Sequence, residues 1–193
     1  MMSVALIIID YQEDFCEDGA LPVPGARSLK NGINDLVSHA QNHSWLTILT
    51  RDWHPENHSS FNTQGGPWPP HCIENSNGAN FALGLIVPRG SEIISKGTSV
   101  SGFGYSPFEE NTLFEVLQNN QINQIVCCGL ALEYCIKSTC IDALSLGLKV
   151  NIVRNCVGSL SKDSEQAEKV WNEMRELGCR IIHSVNELEL PIV

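Results

Sequence analysis

Short apolar runs of strand length alternate with amphipathic runs of helix length along almost the whole chain, and that alternation leaves few folds open. Val4–Ile9 is a continuous aliphatic run, as expected of a strand covered on both faces. From Gly25 to about His43, the residues Leu29, Ile33, Leu36, Val37 and Ala40 return to one helical face. The same reading gives strands over 45–50, 91–95, 122–128, 149–153 and 180–184, and helices over 106–119, 134–146 and 162–177. Ser106-Pro107-Phe108-Glu109 has the form of a capping box with proline at the first helical position; Phe108, Thr112, Leu113, Val116 and Leu117 are expected to face inward. Gly147 and Gly178 close two of the helices. Strand and helix in turn predict a three-layer α/β/α fold with a six-stranded parallel sheet, as a single domain over 1–193.

One stretch breaks the alternation. Residues 51–90 are rich in Gly, Pro, His and Asn, and a connection of roughly 40 residues inside a compact domain tends to be functional. The rest of the composition excludes several roles. The formal net charge is −10 with no basic stripe, so nucleic acid and anionic membrane surfaces are poor partners. MMSVALIIID lacks a basic flank and a cleavage site, and reads as a strand rather than a signal peptide. No apolar run approaches the roughly 18 residues of a membrane span. Eight cysteines without a CxxC pair, Cys127 and Cys128 among them in an apolar strand, suggest free thiols in a reducing cytoplasm.

Asp10, Asp52 and Lys96 end predicted strands, and Cys135 opens the helix after the fourth. In an open parallel sheet these ends share one crevice. Asp52 and His54 stand two apart on an extended segment, so both can point the same way; His71 could complete a set of one carboxylate and two imidazoles. That donor set suits Zn²⁺, Fe²⁺ or Mn²⁺ and leaves positions open. His58 is either a fourth ligand or a partner of one, while His39, His43 and His183 read as structural or exposed. A thiol at a helix start has its anion favoured by free N–H groups; a nearby Lys96 ammonium is expected to lower its pKa further, and Asp10 to accept its proton. Singly, each residue has a plain structural reading: a turn-capping Asp, a loop Lys, a core Cys, a surface His. Their placement at successive strand ends is what points to a cysteine hydrolase.

The runs Ile9-Asp10-Tyr11-Gln12-Glu13-Asp14-Phe15, Asp52-Trp53-His54-Pro55-Glu56-Asn57-His58, Trp68-Pro69-Pro70-His71-Cys72, Lys96-Gly97-Thr98 and Gly129-Leu130-Ala131-Leu132-Glu133-Tyr134-Cys135 resemble the nicotinamidase/pyrazinamidase branch of the isochorismatase-like cysteine hydrolases. The resemblance covers nearly the whole chain in order. It implies an Asp10–Lys96–Cys135 triad, an oxyanion hole from the N–H groups of Ala131 and Cys135, and a cis peptide between Leu130 and Ala131. It also implies one divalent metal, zinc expected first, on Asp52, His54 and His71 with His58 close by, and a substrate pocket of Phe15, Leu21, Trp68, Tyr105, Ala131 and Tyr134. The implied substrate is a small amide, nicotinamide, its ring between Phe15 and Trp68; a closed homodimer or higher homo-oligomer is the common assembly. The chain departs from the family pattern at Glu13, Phe103, Leu132 and Glu133. Glu13 is expected to bring charge near the nucleophile and metal, and the four together to bear on substrate preference. Two further readings stay open: an amidohydrolase acting on another small amide, and a non-catalytic metal- or ligand-binding protein.

Overall fold

The computed structural model describes residues 3–109, 112–184 and 186–187. Six parallel strands form one sheet in the order β3-β2-β1-β4-β5-β6: β1 (Val4–Ile9), β2 (Leu46–Asp52), β3 (Glu92–Lys96), β4 (Gln124–Gly129), β5 (Lys149–Val157) and β6 (Arg180–Ile182). The chain runs outward from β1 in one direction and then restarts beside it with β4, so the sheet's switch point lies between β1 and β4.

Both faces are covered. Leu6, Ile8, Val126 and Cys128 pack against α1 (Lys30–Asn42), through Ile33, Leu36, Val37 and Ala40. Ala5, Ile7, Ile125 and Cys127 pack against α2 (Thr112–Asn119), α3 (Lys137–Ser145) and α4 (Ser164–Glu176). Strict alternation along β1 and β4 thus feeds two cores, which is why these strands carry no polar side chain between Ala5 and Ile9 or between Ile125 and Cys128.

The hydrogen bonds of the expected capping box form, Ser106 N–H to the Glu109 carboxylate at 3.3 Å and Phe108 N–H to Ser106 Oγ at 3.3 Å, but residues 107–109 make a turn rather than the first helical residues, and α2 is described from Thr112. Residues 110 and 111 of the predicted helix lie outside the described residues. Leu113 and Leu117 are buried as expected, but Thr112 is exposed; the inward stripe is completed by Phe108 and the half-buried Phe114 and Val116. The helix predicted from Tyr134 starts earlier and differently. A wide π-type turn, Leu132–Ile136, precedes α3. Such turns are uncommon and occur often at functional sites. β5 runs four residues beyond its predicted end, to Val157, because Val157 pairs with Gly129 after a register shift in β4.

Candidate active site

Register and strand length bring the polar residues together. Asp52 and Lys96 are the last residues of their strands and are paired across β2 and β3. Asp10 follows β1 in the left-handed region (φ 47°), which Asp tolerates better than most residues. Its N–H donates to the Thr50 carbonyl at 3.2 Å, and Thr50 Oγ1 donates to Asp10 Oδ1 at 2.7 Å. Gly129, at the end of β4, has φ 115°, and a Cβ there would lie 2.0 Å from the Ile9 carbonyl oxygen. Only glycine lets the turn that leads to Cys135 leave the sheet so close to Asp10. The Leu130–Ala131 peptide bond is cis.

At the centre stands Lys96, 2% exposed. Its Nζ lies 2.8 Å from Asp10 Oδ2, 2.5 Å from Asp52 Oδ1 and 3.3 Å from Cys135 Sγ, and donates to the Gly104 carbonyl at 2.8 Å. Four partners surround an ammonium with three protons. Burial alone would lower the Lys96 pKa, but Asp10 and Asp52 outweigh it and raise it well above the ordinary value. Burial also raises Asp10, against the pull of Lys96. For Asp52, burial works in the same upward direction but Lys96, His54 and His71 together overcome it, holding the carboxyl well below the usual range. The expectation for the thiol is corrected here. Burial pushes Cys135 well above its ordinary pKa, and Lys96 offsets this only in part because Asp10 and Asp52 oppose it. The shift favours the protonated sulfur, which stands beside a carboxylate whose Oδ2 makes no hydrogen bond of good geometry among the described residues.

Asp52 faces two ways. Its Oδ1 holds Lys96, while Oδ2 lies 3.7 Å from His54 Nε2. Asp52, His54 and His71 each offer a ligand atom within 4.8 Å of the other two, and all three are buried. Carbonyl groups fix both imidazoles: Nδ1 of His54 donates to Gly97 O at 2.8 Å and Nδ1 of His71 to Pro69 O at 2.7 Å. Each ring thus keeps Nε2 as its lone pair, the arrangement of a metal-ligating histidine. Gly97 is required for this: a Cβ on it would meet the His54 ring at 2.4 Å. The His58 ring stacks on His54 at 4.1 Å, its Nδ1 is 2.7 Å from Ser60 Oγ, and its buried Nε2 has no hydrogen-bond partner among the described residues. His58 lies outside the convergent trio, yet burial, with His54 next, lowers its pKa to about 4, so it too is a neutral donor. One carboxylate, two oriented imidazoles and a third whose Nε2 is unpartnered among the described residues fit a divalent cation.

Above Cys135 opens a narrow slot, partly open to solvent. Phe15, Leu21, Trp68, Tyr105, Ala131 and Tyr134 line it, together with Asp52, His71, Cys135 and Leu160. Trp68 Nε1 donates to the Tyr105 hydroxyl at 3.0 Å, and the Trp68 and Tyr134 rings meet edge to face at 4.9 Å.

The isochorismatase domain family matches residues 4–185. The chain belongs to the isochorismatase family. Among solved structures it is similar to the pyrazinamidase of Pyrococcus horikoshii in complex with zinc (39% identity, TM-score 0.89, 93% of this chain and 98% of that one). It is also similar to PnC1 from L. infantum in complex with nicotinate (32% identity, TM-score 0.85, 94% and 92%). Among curated proteins, the nicotinamidase of Escherichia coli is 32% identical over 92% of this chain and 93% of its own length.

Within this isochorismatase-family chain the four departures do not reach the substrate slot. Glu13 points away, its carboxylate ion-paired with Arg27 at 3.0 Å and accepting the Leu83 N–H at 2.6 Å. Leu132 is buried in the core beneath α3 and α4. Glu133 turns to the β5–α4 connection. Phe103 is half exposed and stacks on the outer side of Tyr105 at 5.2 Å. Sequence reasoning missed Leu160, the Gly104 carbonyl and Gln12. Gln12 is fully buried: Nε2 donates to the Asp52 carbonyl at 2.8 Å and Oε1 accepts the Asp52 N–H at 2.8 Å. A polar residue two positions after a strand-end Asp was the only available signal.

Proposed function

We propose that this chain hydrolyses nicotinamide, and pyrazinamide with it, to the carboxylic acid and ammonia through a thioester on Cys135. One observation carries the reading: Lys96 Nζ is within reach of Asp10, Asp52 and Cys135 together, at the floor of an aromatic slot beside three metal-type ligands. The relatives' names, and the nicotinate and zinc in two related structures, support the same substrate class.

Phe15, Trp68 and Tyr134 hold the flat ring, and the carboxamide carbon faces Cys135 Sγ. As sulfur attacks, Asp10 takes the thiol proton; burial raises its pKa, which favours its taking up that proton. The Ala131 and Cys135 N–H groups receive the oxyanion. The C–N bond breaks as Asp10 protonates the amine, releasing ammonia. A water then gives its proton to Asp10 and attacks the thioester, and the acid leaves as the thiol is restored. Lys96 compensates the negative charge that passes between Asp10 and Cys135. Asp52, His54 and His71 would hold a divalent cation, zinc by preference over iron or manganese, which would supply Lewis-acid chemistry beside the slot. We read the protein as one cytoplasmic domain, assembling if at all as a closed homo-oligomer; no helix among the described residues is long and apolar enough to cross a membrane.

The test is purified protein with nicotinamide, measuring ammonia and nicotinate before and after chelation and after adding back zinc. Stoichiometric release of both, lost on chelation and restored by metal, is expected. Ammonia from other small amides but none from nicotinamide would overturn the substrate assignment.

A further inference from the structure

We propose that Glu133 is a positioning residue that fixes Leu160 as the wall limiting which ring-substituted amides enter the slot. The proposal rests on the amidase reading above and names its substrate limit. Glu133 lies between two residues that face the substrate region or its core, yet its half-buried carboxylate turns away from the chemistry. Oε2 accepts the Leu160 N–H at 3.0 Å; Oε1 accepts the Ser161 N–H at 3.1 Å and the Ser159 hydroxyl. Bonds from an ionised acceptor to backbone N–H groups are among the stronger ones. Two backbone bonds fasten the same pair of segments: Leu132 N–H to Gly158 O at 2.8 Å and Gly158 N–H to Gly129 O at 3.0 Å.

The result is a rigid strap between the turn that carries the nucleophile and the start of the β5–α4 connection. Leu160 is the residue of that connection that reaches the slot, where it lines the space with Leu21, Ala131 and Cys135. The distance between the reacting sulfur and this wall is therefore set by Glu133, two positions before Cys135, and not by residues that touch the substrate. An apolar wall of this kind discriminates single methyl groups by about 10- to 200-fold.

The experiment compares wild type, Leu160→Ala, Glu133→Gln and the double variant on nicotinamide and on methylnicotinamides carrying the methyl at each free ring carbon. Leu160→Ala is expected to raise the kcat/KM ratio of at least one methylated amide to nicotinamide by roughly 10-fold. Glu133→Gln is expected to move the same ratio in the same direction by less, chiefly through KM, and to add nothing in the double variant, because it acts through Leu160. A ratio unmoved by Leu160→Ala, or additive effects in the double variant, would overturn the proposal. Amide hydrogen exchange gives a readout independent of turnover. Glu133→Gln should speed exchange at Leu160 and Ser161 by roughly 10-fold while leaving β1 protected; unchanged exchange would also overturn it. Wild type that releases no ammonia from nicotinamide, with exchange behaving as expected, would instead refute the substrate reading and leave the strap standing.

Discussion

Two connections at the same end of the sheet build the two halves of this site in opposite ways. The β4–β5 connection is short and helical: a π-type turn and α3 place Cys135 directly above the switch point. The β2–β3 connection has no α-helix between Asp52 and Glu92, yet it buries His54, His58, Phe61, His71 and Cys72. Its order comes from side chains and carbonyl groups of distant segments. Gln12 brackets the Asp52 backbone, Asp14 Oδ2 accepts the Cys72 N–H at 2.7 Å, and Gly97 O and Pro69 O orient the imidazoles. A single nucleophile can be aimed by one helix start. A cation needs donors from several directions, which regular structure does not supply.

The contrast can be broken most sharply on the helical side. Cys135→Ala should reduce ammonia release by about 10⁴-fold or more with near-UV circular dichroism unchanged; substantial turnover in that variant would move the nucleophile elsewhere. On the irregular side, His71→Ala should lower metal stoichiometry and cut kcat/KM by more than about 100-fold. Full metal content by elemental analysis would remove His71 from the ligand set. Gln12→Met touches neither metal nor substrate, and should weaken metal affinity by roughly 10- to 100-fold through the Asp52 backbone. Competition with a coloured chelator measures this, and wild-type affinity would show that the loop holds itself.

Two pH effects sharpen the comparison further. Burial holds Asp10 above the ordinary carboxyl range, so the base is lost as pH falls through that raised value. The acid limb of kcat/KM should have its midpoint above the roughly 3.9 of a free Asp; a midpoint at or below it would deny Asp10 the proton transfer. The smallest effect concerns His58, whose pKa is lowered from 6.5 to about 4. Between those values the unfolded chain binds a proton that the folded chain refuses, so metal-free protein should lose stability as pH falls through this window. Denaturant midpoints for wild type and His58→Asn check it: the variant should have the flatter profile.

The helical half was the legible half. The periodicity of residues 30–42 and 164–176 and the aliphatic runs of β1 and β4 are local patterns, and each led to the element found, whereas the capping pattern around Ser106 forms its hydrogen bonds over a turn. Thr112 misled because a β-branched residue next to Leu113 carries no sign of which side of the stripe it takes. The metal-type residues were legible by their identity and spacing, not by any pattern of chain folding. What could not be read was whatever depends on contacts between remote positions: the inward turn of Gln12, the outward turn of Glu13, the reach of Leu160, and a thiol pKa raised first by burial and then by Asp10 and Asp52.

For anyone re-engineering this scaffold, the contact between Gly97 and the His54 ring marks a position closed to variation. Mutational libraries aimed at new amide substrates can range over the slot walls, but a single methyl group at residue 97 would drive into the His54 imidazole and disturb the proposed metal-binding trio. The tolerance map of this enzyme should therefore be most severe at a residue with no side chain to contribute.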